Sequence, residues 1–413
     1  MISNPVSENL KKIQRCILDF IEKEDNNEEN FQNLEILIDE LQIKENKYFI
    51  ISIFHLIIEI ANNHNRSSNF FEKLEKIINI FKNEIKQNFS NDQIFDFFKS
   101  NKRLLLFFIE EKMIIFNDYI YKEIMSSSFK LMKYPRYFAK EIKDFLSQKA
   151  DDDEKYDDDD DDEEYEDENS YDEKTDEEID EEFNIKRHIG ENDHEICKII
   201  QKDLIEDFIV YVNQNEGSLE HSIKHSIFET NQFLLVQKEV KNDYYFHKKK
   251  SEPIYHFHVS LIQYAAFYGS TQIFKYLKDN VSSLNKSLWP YAIHGQCPEI
   301  IHILEEENID PDSYEDCLIE SIKCHHNDIA NYIENNYLNH ERIEKSFKIF
   351  HQSIKCHNYA FVNNYFICQT CLYYFIKYDC PLFVNYLIKT SFVDVNHVTV
   401  LFENSDKILK LIY

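Results

Sequence analysis

From Ala265 to Leu277 the chain reads A-A-F-Y-G-S-T-Q-I-F-K-Y-L, and the same arrangement returns from Ala292, Ser321, Ser353, Phe375 and Val400. Each copy opens on a short helical run, breaks, and resumes as a second amphipathic run. Aligning the copies places Gly269, Gln296, His325, His357, Asp379 and Asn404 at one equivalent position, with spacings of 27, 29, 32, 22 and 25 residues. A drifting period of this size predicts helical hairpins, none of which can bury its apolar face alone and each of which must stack on its neighbours.

The register carries physical sense. Ala265, Ala292, Ser321 and Ser353 are small, so adjacent first helices can approach closely. Ile273, Ile300, Ile329, Phe361 and Phe383 fall eight residues later, and Leu277, Leu304, Ile333, Tyr365 and Leu387 follow one turn after them on the same face. The aligned break must end a helix, and a left-handed backbone there suits Gly, Asn and Asp best. Gln296, His325 and His357 depart from that preference. Pro298 and Pro381 both fall in the first turn of a second helix, where a missing N–H costs nothing.

Helical periodicity extends to the rest of the chain. Leu10, Ile13, Ile17, Leu18 and Ile21 form one stripe, and Phe71, Leu74, Ile77, Ile78 and Phe81 another. Asn91, and Ser68 or Asn69, stand where helix caps belong. F-F-K-S-N-K-R-L-L-L-F-F-I from Phe97 fits the template with Asn101 at the break, and the run from Glu195 reads as a helix pair offset by one residue. Only four glycines occur, which excludes phosphate-cradling glycine loops and disfavours hairpin-rich sheet. The expected class is all-α.

Charge divides the chain. Residues 151 to 182 hold 23 acidic residues and two lysines, −21 of a net charge of −30. Such a stretch has no apolar surface to offset its ordering entropy and is expected to be a disordered linker. The expected organisation is a helical block over 1–150, the acidic linker over 151–183 and a repeat block over 184–413. Acidic bait for a basic partner such as a histone tail, or regulation by phosphorylation at Ser170 and Thr175, are the linker's functional alternatives. An acidic tract repels phosphate, so nucleic-acid binding is not expected. The most apolar run, from Tyr48, is short and holds His55 and Glu59, so no membrane span is expected. Nine cysteines in a chain without a recognisable signal are expected as reduced thiols in the cytosol or nucleus.

A-A-F-Y-G followed by I-F-K-Y-L resembles the ankyrin repeat, whose first helix ends in A-A-x-x-G-H. More narrowly, L-I-Q-Y-A-A-F-Y-G-S-T-Q-I-F-K-Y-L, S-L-W-P-Y-A-I-H-G, I-E-S-I-K-C-H-H-N-D-I-A-N-Y-I and F-K-S-N-K-R-L-L-L-F-F-I-E-E-K are similar to an expanded protist family of ankyrin-like proteins. The resemblance implies an ankyrin-like helical-hairpin solenoid and a protein-binding role. The repeats lack the T-P-L-H opening and are short, so long hairpin fingers are not expected.

Several residues invite chemistry. Cys324, His325, His326, Cys356, His357, Cys368, Cys371 and Cys380 are ligand types for zinc. Their place at helix ends and breaks favours packing, however, and no metal or other cofactor is expected. No cysteine or histidine lies in a recognisable catalytic turn, so no catalytic residue is assigned. His256, His258 and Lys248 to Lys250 read as solvated loop. The two residues before each break are expected on the concave side: Phe267 and Tyr268, His294 and Gly295, Lys323 and Cys324, Lys355 and Cys356, and Lys377 and Tyr378. Of these, Phe267, Tyr268, His294, Lys323, Lys355, Lys377 and Tyr378 are the expected partner contacts. An aromatic and basic stripe suits a protein partner with an acidic, partly apolar surface. The expected function is a non-catalytic interaction scaffold; the alternative is a metal-binding regulator or enzyme built on the Cys/His clusters.

Overall fold

Helices are the regular elements of the described residues, and the sole β contact is an isolated bridge between Ser222 and Ser260. The computed structural model describes residues 5–23, 27–64, 69–153, 181–215, 219, 221–235, 259–280, 284–338, 346–362, 367–368 and 371–390. No described helix is long and apolar enough to cross a membrane. The chain divides into two compact units. One takes Met1–Asn88, Glu195–Lys224 and Asn231–Tyr413; the other takes Phe89–His194 and His225–Thr230.

The first unit begins with α1 (Pro5–Glu22), α2 (Asn27–Glu40), α3 (Lys47–Asn63), α4 (Phe70–Asn79) and α5 (Lys82–Asn88). Both predicted stripes are buried: Leu10, Ile13, Ile17, Leu18 and Ile21 on α1, and Phe71, Leu74, Ile77, Ile78 and Phe81 on and after α4.

The second unit holds α6 (Asn91–Phe98), α7 (Lys102–Glu110), α8 (Asp118–Ile124), α9 (Ser127–Leu131), α10 (Tyr134–Tyr137), α11 (Ala139–Asp153) and α12 (Glu181–Ile189). Ser90, not Asn91, caps α6, and it forms a reciprocal capping box with Gln93. Asn101 is extended (φ −126°), not left-handed, because its side chain accepts from the Leu104 N–H and caps α7. Buried Arg187 of α12 donates to both oxygens of Glu141 on α11 at 3.0 and 2.9 Å and to the Tyr137 carbonyl at 3.1 Å. Both flanks of the acidic tract therefore belong to one unit. The expected boundaries at 150 and 184 join residues that the structure separates, and the tract enters and leaves the same unit. Residues 154–180 of the tract, and the sixth repeat copy from Val400, lie outside the described residues.

The first unit resumes with α13 (Glu195–Gln201), α14 (Ile205–Gln214), α15 (Gln232–Leu235), α16 (Leu261–Tyr268), α17 (Thr271–Asn280), α18 (Leu288–His294), α19 (Pro298–Glu306), α20 (Tyr314–Lys323) and α21 (Asn327–Tyr337). It continues with α22 (Phe347–Lys355), α23 (Leu372–Lys377) and α24 (Pro381–Lys389). First helices contact one another in succession: α13 with α16, α16 with α18, α18 with α20, α20 with α22 and α22 with α23. Second helices α14, α17 and α19 do likewise.

The breaks follow the predicted register. Gly269, Gln296, His325, His357 and Asp379 have φ of +67°, +47°, +61°, +50° and +50°. In four copies the N–H after the break donates to the carbonyl at the template's first position: Ser270 to Ala265 (2.9 Å), His326 to Ser321 (3.0 Å), Asn358 to Ser353 (2.9 Å) and Cys380 to Phe375 (2.7 Å). These bonds satisfy carbonyls that a helix end leaves open. Asp203 (φ +51°) makes the same break between α13 and α14. Pro298 and Pro381 are the first residues of α19 and α24. The copy from Ser353 departs: after its break the described residues form a short 3₁₀ turn, Tyr359–Phe361, where a second helix was expected.

Candidate functional site

The breaks carry the most unusual chemistry of the first unit, because their side chains point at α1 and α3. Apolar α3 has few polar positions, and two of them, His55 and Glu59, meet repeat residues. His55 stacks on His357 with centroids 4.6 Å apart and lies 3.0 Å from Asp379 Oδ2. His64, which ends α3, places Nδ1 2.8 Å from the Cys324 carbonyl and Nε2 3.3 Å from Glu22 of α1. Its ring lies against His326 at 4.5 Å. Gln14 of α1 donates to Asn358 Oδ1 at 2.7 Å and accepts from the Ala360 N–H at 3.2 Å. Tyr359 donates to the Ser52 carbonyl.

The result is a seam of buried histidines. His294, His325 and His326 have no exposed surface and His357 almost none. Burial drives His325 down to about 3. Burial also holds His294 below, and His326 and His357 well below, the ordinary imidazole range. These rings are neutral at pH 7. Burial pushes Glu59 up to about 7 against the opposing charges of Lys323 and Lys355. It pushes the Cys356 and Cys317 thiols up to about 12 and those of Cys324 and Cys380 well above their usual range. Such thiols are poor nucleophiles because the reactive thiolate is suppressed.

The expected partner stripe divides in two. Phe233 of α15 stacks on Phe267 (6.0 Å, 5° between planes) and His294 (3.9 Å), with Lys323 Nζ 5.6 Å from its ring centroid. Phe267 and His294 are therefore buried, which corrects the expectation that they face a partner. A four-residue helix has too little periodicity to announce itself in sequence, and it covers what the repeat pattern alone leaves open. Lys323, half-buried, joins His294 on Glu320. Although burial raises Glu320, the His294 hydrogen bond and the Lys323 charge hold it at about 2. Tyr268, also half-buried, accepts from Gln201 at 3.2 Å.

The other end stays open. Lys355 and Lys377 are exposed and Tyr378 half-exposed. Lys377 Nζ lies 5.4 Å from the Tyr378 ring and 5.9 Å from the Tyr373 ring. Tyr378 is hydrogen-bonded to His351 at 2.7 Å, and the Tyr374 ring joins His351 to Phe347. Phe347 and Tyr373 are 41% and 48% exposed, so large apolar area faces solvent here.

Among the described residues, two groups bring metal-ligand atoms within 4.8 Å of one another: Glu22, His64 and His326, and His294, Glu320 and Cys324. Cys356, His357, Cys368, Cys371 and Cys380 join neither. Lys248 to Lys250, His256 and His258 lie outside the described residues. Sequence reading missed Glu22, His64 and Phe233; polar His55 and Glu59 on apolar α3 were the visible trace of a buried polar partner. A cavity of about 440 Å³ opens beside the seam between α1 and the breaks, with Arg15, Glu22, Gln296 and His325 among its lining.

The chain matches no family model, no curated protein and no solved structure.

Proposed function

We propose that the first unit is an ankyrin-like stack of helical hairpins that acts as a non-catalytic scaffold in the cytosol or nucleus. Its partner surface lies at the α22–α23 end. The observation that carries this reading is the continuous patch of Phe347, His351, Tyr373, Tyr374, Lys377 and Tyr378, with Lys355 close by. Aromatic rings that stay exposed and share a cation are what protein-binding hot spots are made from. Soluble chains rarely leave such rings clustered on the surface without use. Lys355 and Lys377 favour a partner segment carrying carboxylates beside apolar side chains.

The remainder of the predicted stripe serves the chain itself: Phe233 covers Phe267 and His294, Glu320 holds Lys323 and Gln201 holds Tyr268. Recognition is thereby confined to one end of the stack. The test is affinity capture from cells with wild type and a Tyr373→Ser/Lys377→Glu variant. Proteins retained by wild type should be lost by the variant, with helicity and the Trp289 unfolding transition unchanged. Identical capture by both would remove this surface from consideration.

A further inference from the structure

We propose that Glu22, His64 and His326 form a binding site for a divalent cation of the zinc class, which clamps the N-terminal helices to the repeats. The partners of the two rings decide which ring nitrogens are free to act as ligands. A carbonyl only accepts, so His64 Nδ1, 2.8 Å from the Cys324 carbonyl, carries a hydrogen, and a ring that binds a cation does so through Nε2. His326 Nε2 lies 3.2 Å from the His294 carbonyl and is likewise the donor. The nitrogens left to serve as ligands are His64 Nε2 and His326 Nδ1. His326 Nδ1 meets no hydrogen-bond partner although its ring is fully buried.

Glu22 adds a carboxylate oxygen 3.3 Å from His64 Nε2. Each of the three residues offers a ligand atom within 4.8 Å of the other two. The Gln296 amide donates to that Glu22 oxygen at a long 3.4 Å, but no donor reaches His326 Nδ1, and a cation would resolve the gathered acceptors. Ligands about 2.1 Å from a tetrahedral zinc sit about 3.4 Å apart, close to the 3.3 Å Glu22–His64 separation. Metal-bound imidazoles characteristically donate their other N–H to a carbonyl, and both rings here do so. Phe70 lies against the His64 ring and fixes its orientation.

Two imidazoles with one carboxylate suit zinc or cobalt better than magnesium or calcium, which prefer all-oxygen sites. Three protein ligands leave a position open, and Glu22 borders the adjacent cavity, which supplies an entry path. The neighbouring group behaves differently. His294 Nε2 and Lys323 both reach Glu320, and the Cys324 thiol lies within 3.4 Å of either His294 nitrogen, so donors and acceptors there are matched. A proton shared by His64 and Glu22 would satisfy those two groups but leave His326 Nδ1 orphaned.

The test uses the full chain, stripped of metal and titrated with Zn²⁺ at pH 7.5 under reducing conditions. One equivalent should bind and raise the midpoint of Trp289 unfolding. Glu22→Gln, which preserves shape, should weaken binding at least about 10-fold, a loss no smaller than second-shell changes cause. His64→Gln should weaken it further, while His302→Ala, at an exposed histidine, should leave it unchanged. Substituted Co²⁺ should show no sulfur charge-transfer band. Binding below a tenth of an equivalent in wild type, undiminished binding by Glu22→Gln, or a sulfur band marking the cysteines as ligands would each overturn the assignment. Should His64→Gln fail to fold, the Glu22→Gln result decides alone.

Discussion

Gly295 offers a test in which two effects predict opposite signs. It follows α18 with φ −68°, a conformation that alanine adopts freely. Helix propensity and unfolded-state entropy alone would make Gly295→Ala stabilising by about 0.5–1 kcal/mol. Packing says otherwise. A Cβ at Gly295 would fall 2.2 Å from the Ala266 carbonyl oxygen and 3.1 Å from the Gly269 nitrogen, both backbone atoms of the neighbouring repeat. The helices would have to part by roughly 1 Å, across an interface filled to native density. Ala265, Ala266, Ala292 and Ile293 there are wholly buried, so parting opens gaps that nothing fills. Overpacking costs about 1–3 kcal/mol and sometimes more. With a backbone oxygen as the obstacle the upper end applies, and the net expectation is a loss of about 2 kcal/mol. At m of about 2–3 kcal/mol/M in urea, that moves the midpoint down by about 1 M. Trp289, the chain's only tryptophan and fully buried on α18, reports this region directly. A midpoint equal to or above wild type would refute close first-helix contact as the basis of the stack. Gly269→Ala, strained by its φ of +67°, is the companion measurement and should lose about 1–2 kcal/mol.

Other expectations follow from single contacts. Because burial lifts Glu59 to about 7, the folded state holds a proton that the unfolded chain releases near 4.5, so stability should fall as pH rises between those values. Glu59→Gln should flatten that dependence and gain roughly 2–3 kcal/mol at pH 8, read by urea titrations at pH 5 and 8; a steeper profile in the variant would contradict the sign. Gln14→Leu leaves Asn358 Oδ1 and the Ala360 N–H without their α1 partner, and should lose about 2 kcal/mol in the Trp289 transition. Arg187→Ala strands the Glu141 carboxylate and should destabilise the second unit by about 3 kcal/mol or more, seen as lost amide-exchange protection in α11 and α12.

Much of the hairpin register was legible because it is local. A left-handed break, a proline at a helix start and a small residue at a close approach each demand particular residue types at particular offsets. All five described breaks sit where the alignment placed them, even with Gln or His in place of Gly. Asn101 shows the limit, since the same spacing can serve a cap as well as a break. The candidate site was scarcely legible. That α1 and α3 face the breaks depends on contacts such as Gln14 with Asn358, 344 residues apart, which leave no periodic mark. Phe233 hid Phe267 and His294 for the same reason. The expected boundary near residue 150 came from composition, whereas the Arg187–Glu141 pair, which ties both flanks of the tract into one unit, belongs to geometry.

The pairing of Gln14 with Asn358 also governs how the protein is born. At translation speeds of roughly 5–20 residues per second, the first helix waits about 20–70 s before its companion is synthesised. Throughout that interval the apolar flank of α3 that meets the last hairpin lies open to misassociation. Nascent molecules of this design should depend on chaperones far more than a stack whose every neighbour is already made.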